Sequence, residues 1–192
     1  MQAEPQKVHR KECRRENIPG HAHFLTFSCF QRRRFLIKDR TRKWLVESIA
    51  IAMETHRVDL WAYVIMPEHV HLVVFPREEQ YDIGAILKSI KQPVAKRAVN
   101  FVRDEAPEFA RHMEERRPNG DRSLRFWQRG GGYDRNLYSD GEVWEKIQYI
   151  HGNPVKRGLV GTEIEFLWSS AADFAGIRSG PLDLNWENLP RE

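Results

Sequence analysis

Residues 58–75, VDLWAYVIMPEHVHLVVF, set two apolar runs either side of a proline and an acidic residue. Runs rich in β-branched and aromatic residues around such a break read as a β-hairpin with Pro67-Glu68 in its turn. In the second strand Val70, Leu72 and Val74 share one face while Val73 and Phe75 lie on the other, so both faces should be buried. His69 and His71 alternate along the same strand and therefore point the same way. Two imidazoles where valine would pack better are either a polar corner of the core or half of a metal site.

Working outward, HAHFLTFSCF (21–30) follows Gly20 and reads as a first strand. TRKWLVESIAIAMETHR (41–57) places Leu45, Ile49, Ala52 and Met53 at helical spacing. Beyond the hairpin, a second helix is expected over about 82–103 on Ile83, Ile86, Leu87 and Ile90, kinked or interrupted at Pro93. Residues 104–123 read as a polar loop with room for a short helix, LRFWQR (124–129) as a fourth strand, and the glycines 130–132 as a flexible joint. From Asp140, DGEVWEKIQYIHGNP reads as a third helix that stops at Asn153-Pro154. The order β-α-β-β-α-β-α predicts an α+β, ferredoxin-like split βαβ sandwich with an added C-terminal helix carrying Tyr149. Residues 1–20 form a basic arm, 21–160 the core domain, and 161–192 an extension expected to pack on the core or on a nucleic acid.

The chain has 192 residues, which suits one domain with a proper core. No apolar run approaches the roughly 20 residues that span a bilayer, and the N-terminus has no signal-peptide pattern. Cys13 and Cys29 build no disulfide framework, pointing to a reducing cytoplasm. Net charge is +4, and RRRFLIKDRTRK (32–43) carries seven basic residues against one acidic. Such a run suits a phosphate-rich partner or a solvated face.

Three places could carry chemistry. The histidine pair is the first, but His21-Ala22-His23 has the same spacing, so spacing alone does not choose between them. In the third helix, Val143, Ile147 and Ile150 make the buried stripe, and Tyr149 lies about 120° away with Lys146 and Asn153 towards its side. That tyrosine is either a nucleophile beside a metal ligand or an amphipathic boundary residue with its hydroxyl in water. Trp127, Tyr133 and Tyr138 alternate with Arg125, Arg129 and Arg135, a pattern for stacking and neutralising single-stranded nucleic acid or for a packed loop with solvated arginines. Arg32, Arg33, Arg34, Lys88, Lys91, Trp127, Arg129 and Arg135 are the candidate DNA contacts. Walker, G-x-G-x-x-G, H-E-x-x-H and G-x-S-x-G motifs are absent.

VIMPEHVHLVVF, FWQRGGGYDRNL, YIHGNPVKRGLV and LWSSAADF, in this order over about 23–175, resemble the Y1 transposases of the HUH class, specifically the REP-associated tyrosine transposases related to IS200/IS605 enzymes. The resemblance implies His69 and His71 as metal ligands, Tyr149 as nucleophile and Asn153 as an amide third ligand, with Lys146 helping to stabilise charge. Gly152 departs from the pattern, where a larger apolar residue is usual. The implied cofactor is Mg²⁺ or Mn²⁺, and the implied partner single-stranded or hairpin DNA. The enzyme would act as a monomer or homodimer in the cytoplasm, at the nucleoid. The implied reaction is metal-dependent nicking and rejoining at hairpin-forming palindromic repeats through a 5′-phosphotyrosine. The competing reading is a non-catalytic nucleic-acid binder on an RNA-recognition-like sheet.

Overall fold

The computed structural model describes residues 16–116 and 119–192. Of the basic arm expected over 1–20, residues 1–15 lie outside the described residues. The elements are β1 (Ala22–Ser28), α1 (Asp39–Thr55), β2 (Val58–Ile65), β3 (His69–Pro76), α2 (Ile83–Glu105), β4 (Glu114–Arg116), β5 (Arg122–Leu124), β6 (Tyr133–Leu137), α3 (Asp140–Lys156) and the short α4 (Ala171–Phe174). The main sheet has the order β2-β3-β1-β6, antiparallel throughout, which is the order of a ferredoxin-like split βαβ sheet.

The alternation read from 70–75 sorts the two faces of this sheet. Val70, Leu72 and Val74 join Leu25 and Phe27 under α1 and α2, which supply Leu45, Ile49, Ile83, Ile86 and Ile90. Val73 joins Ala22, Phe24, Val64 and Leu137 on the opposite face, under Val143, Ile147 and Ile150 of α3. The tyrosine helix therefore covers the face to which His69 and His71 also belong. Registers Thr26↔His71, Val64↔His71 and Thr26↔Tyr133 set Val64, His71, Thr26 and Tyr133 in one row across the four strands.

The fourth strand is not 124–129. Phe126 and Trp127 are buried in the α1/α2 core, and Trp127 makes only an isolated bridge to Cys29. The true edge strand, YDRNL, is polar because Asp134 and Asn136 face inward, with Asp134 bonded to His23. Gly132 leads into it at φ +83, where a Cβ would stand 2.2 Å from the Thr26 carbonyl oxygen. That glycine answers a close approach of two backbones.

Neither Pro93 nor Pro154 interrupts its helix. Pro93 lies inside α2 on its exposed side, where a carbonyl robbed of its partner can take water instead. Pro154 lies inside α3, which runs on to Lys156 without ending at Asn153 or at Gly152. The polar 104–123 stretch holds a 3₁₀ turn (Pro107–His112) and the small β4–β5 ladder. The C-terminal extension packs on the core. Ile65 N–H donates to Trp168 O, and Ser170 N–H to Tyr63 O, covering the β2 edge. Farther along, Asn185 and Asn188 each donate to the buried Asp59 carboxylate at 2.9 Å.

Candidate active site

A cleft of about 470 Å³ between α3 and the sheet is lined by Phe24, Thr26, Arg32, His69, His71, Tyr133, Arg135, Lys146, Tyr149, Asn153 and Arg157. Every residue that the resemblance gave a chemical role is among them. The ring of His71 stands 4.7 Å from that of His69 and 5.7 Å from that of Tyr149, centroid to centroid. Phe24 stacks on His71 at 5.3 Å and meets the edge of Tyr149 at 6.0 Å, so one aromatic side chain registers both.

Each histidine is held through Nδ1. His71 Nδ1 meets Thr26 Oγ1 at 2.7 Å, a hydroxyl that can accept from an Nδ1–H, and His69 Nδ1–H donates to Glu68 Oε1 at 3.1 Å. In that tautomer both Nε2 atoms carry a lone pair, and neither has a protein partner among the described residues. Asn153 commits its amide nitrogen to the Tyr149 carbonyl at 3.0 Å, which leaves its oxygen for another donor or a cation. Burial, with the charges of His69 and Arg32 adding to it, pushes His71 down to about 3. Burial also lowers His69, partly opposed by Glu68. Both imidazoles are thus neutral at physiological pH, the state a metal ligand requires. Two neutral nitrogens anchored from behind plus an amide oxygen fit a divalent cation that accepts mixed N/O donors, manganese among them.

The twin motif has a different role. His23 is fully buried, with Nδ1 on Asp134 Oδ1 and Nε2 on Tyr81 Oη, both at 2.8 Å. With both nitrogens taken, it has none for a ligand.

The candidate DNA contacts fall into separate places. Arg32 and Arg135 line the Tyr149 cleft, Arg135 paired with Glu142. Lys88, Lys91, Trp127 and Arg129 line a second groove of about 480 Å³ between α2 and residues 123–131. Trp127 is packed edge-on against Phe27 and Phe126 and donates Nε1–H to Lys91 O, so its ring offers no stacking platform. Arg33 donates to His112 at 2.9 Å, and Arg34 borders an apolar groove beside Phe35 and Trp44. Tyr133 and Tyr138 are the exposed rings of this region.

Sequence reasoning missed five residues at or beside the site, Arg157 at the end of α3 among them. Thr26 and Phe24 belong to β1 and become legible only through its register with β3. Lys156 sets its ammonium 5.4 Å from the Tyr149 ring centroid, and its i+7 spacing from Tyr149 was the available signal. Glu68 was read only as part of a turn.

The family model described as Transposase IS200 like matches residues 20–151, well over half of the chain. The chain belongs to this family. Its members are Y1 tyrosine transposases, enzymes that cut and join DNA. A Haemophilus influenzae protein provisionally named a REP-associated tyrosine transposase is 23% identical over 164 residues, covering 82% of this chain and 83% of that one. A solved REP-associated tyrosine transposase bound to a REP hairpin shares the fold at TM-score 0.66 and 20% identity, covering 95% of this chain and 99% of that one. Among the described residues no helix is long and apolar enough to cross a membrane.

The buried imidazoles make this transposase acid-sensitive. His151 is pushed down to about 4 by burial, where its Nε2 meets Ser170 Oγ at 2.8 Å. Because His71 and His151 both sit below the ordinary value near 6.5, the unfolded chain takes up protons that the folded chain refuses. Stability is therefore full above about pH 6.5 and falls as pH drops toward 4 and 3. Urea midpoints should show a loss on the order of 1–2 kcal/mol per histidine between pH 7 and pH 5. A flat profile over that range would contradict the burial argument.

Proposed function

We propose that this transposase is a divalent-metal-dependent single-strand DNA endonuclease and strand transferase that nicks at hairpin-forming palindromic repeats through Tyr149. The observation that carries the reading is the meeting, in one cleft, of Tyr149 with an imidazole pair whose Nε2 atoms have no protein partner among the described residues. In the proposed step the Tyr149 oxygen attacks phosphorus, the P–Oη bond forms and the P–O3′ bond breaks, giving a 5′-phosphotyrosine and a free 3′-hydroxyl. Attack by another 3′-hydroxyl reverses the exchange, so the phosphodiester energy is kept and no nucleotide triphosphate is needed.

Phenols have a pKa of about 10 and are poor nucleophiles at neutral pH. Lys156 over the Tyr149 ring and Lys146 in the same cleft are cations that a phosphate entering the cleft would meet. His69 Nε2, His71 Nε2 and Asn153 Oδ1 would hold the cation. When bound, it supplies polarisation of the phosphate and stabilises charge on the leaving oxygen. Arg32 and Arg135 would bind flanking phosphates and orient the strand. Hairpin DNA as substrate is supported by the solved relative, which is bound to a REP hairpin. A non-catalytic binder on an open sheet is disfavoured because α3 covers the face that such a protein would present.

The test uses a labelled oligonucleotide carrying a palindromic hairpin with single-stranded flanks. With Mn²⁺ present, a covalent protein–DNA band should appear on a denaturing gel, and EDTA should remove it. Cleavage without an adduct, or cleavage undiminished in EDTA, would sink the reading.

A further inference from the structure

We infer that Glu68 is a positioning residue that locks the tyrosine helix onto the histidine strand, through Arg157 on one side and His69 on the other. This rests on the metal-site reading above. Glu68 is only 5% exposed, and its Oε1 gathers three partners: His69 Nδ1 at 3.1 Å, Arg157 at 3.2 Å and Arg32 at 3.8 Å. Its backbone cannot drift. Cys29 N–H donates to Glu68 O, and Leu36 N–H to Pro67 O, both at 2.9 Å.

On the helix side, Tyr149, Asn153 and Arg157 follow one another at four-residue spacing, so they share a stripe along α3 and its C-cap. The other contacts of α3 are apolar through Val143, Ile147 and Ile150, with the Arg135–Glu142 ion pair near its start and the His151–Ser170 bond on its opposite side. Apolar burial is non-directional and tolerates a small rotation or slide of the helix. A 3.2 Å ion pair to a fixed, buried carboxylate resists such motion, because the attraction falls as the guanidinium moves away. The Arg157–Glu68 link is the polar tie that joins the stripe of Tyr149 and Asn153 to the turn carrying the imidazoles, and it fixes the C-terminal end of α3 over them. The same carboxylate oxygen orients His69 and raises the basicity of its Nε2. One residue thus couples the placement of a ligand to the placement of the nucleophile. Arg32, the longest and most exposed of the three contacts, remains available to a DNA phosphate.

The two arms of the lock are separable. Mn²⁺ binding to the DNA-free protein, followed by the EPR signal of free Mn²⁺, reads the histidine arm. Amide hydrogen exchange over residues 150–157, with kcat and KM for hairpin cleavage, reads the helix arm. Glu68→Gln should weaken Mn²⁺ binding about 10- to 100-fold, the usual effect of removing a ligand's outer partner. Arg157→Met keeps the Glu68–His69 bond and reaches the cation only through Asn153, so it should weaken Mn²⁺ binding less than Glu68→Gln does, while speeding exchange about 10-fold and lowering kcat with little change in KM. If Glu68→Gln does not fold, Arg157→Met still decides the helix arm. Wild-type protein that binds Mn²⁺ in a His71-dependent way, joined to unchanged affinity in Glu68→Gln, overturns the histidine arm alone. Unchanged exchange in Arg157→Met overturns the helix arm. Wild-type protein that binds no Mn²⁺ overturns the metal-site reading itself, and this inference with it.

Discussion

Tyr149→Phe should abolish the covalent adduct and slow cleavage at least about 10⁴-fold, the scale on which removing a nucleophile acts. Hairpin affinity should stay within about 3-fold of wild type, because a single hydroxyl adds little to an interface dominated by phosphate contacts. The substitution is a clean probe for structural reasons. Tyr149 is 42% exposed, and its ring contacts with Phe24, His71 and Lys156 all involve the ring rather than the hydroxyl. Phenylalanine keeps those contacts, so the change in folding stability should stay within about 0.5 kcal/mol. Loss of the adduct with binding and urea midpoint intact would place the defect in chemistry. A surviving adduct would move the nucleophile to another side chain, with the exposed Tyr133 of the same cleft the first to examine.

Most of this fold was legible because its pattern is carried by burial. The 58–75 hairpin, the first strand and all three long helices show apolar periodicities that match the faces they bury. The fourth strand escaped for the same reason in reverse. Periodicity finds apolar strands, and YDRNL buries Asp134 and Asn136 at a sheet edge, whereas the apolar FW of 126–127 fills the core from an irregular segment. Pro93 and Pro154 do not interrupt their helices because the cost of a lost helix bond depends on what surrounds it, and a single sequence does not show that.

The site divides along the same line. His69, His71, Tyr149 and Asn153 are residues whose types announce chemistry, and two of them sit next to each other in one strand. Their supports do not announce anything: Thr26 is a threonine in a strand, Phe24 an aromatic, Arg157 a cation near a helix end. Each takes its meaning from a partner 45 or more residues away in the chain, such as Thr26 on His71 or Arg157 on Glu68. The second H-x-H shows the limit of spacing most clearly. His23 lies on the opposite face of the sheet from His71, where a carboxylate from β6 and a phenol from the loop before α2 occupy both its nitrogens.

That contrast defines the second large effect. His71→Ala should remove Mn²⁺-dependent cleavage and the stabilisation that Mn²⁺ gives the folded protein. A ligand present at 100 times its Kd stabilises by about 2.7 kcal/mol, so wild-type protein should melt measurably higher with Mn²⁺ than in EDTA. The variant should melt at the same temperature in both. His23→Ala provides the control, since it breaks a buried hydrogen-bonded pair and should lower the melting temperature yet keep the Mn²⁺ shift. The metal-free proteins separate the ligand role from packing. His71→Ala loses its stacking on Phe24 and its bond to Thr26, and so should be less stable than wild type at pH 7. It also loses a group that resists protonation in the fold. As pH falls from 7 to 5, wild type gives up stability that the variant no longer has to give up, so the gap between them should narrow by about 1–2 kcal/mol. A Mn²⁺ shift that survives in His71→Ala and disappears in His23→Ala would put the cation on the wrong histidine pair and reverse the assignment of the two faces of the sheet.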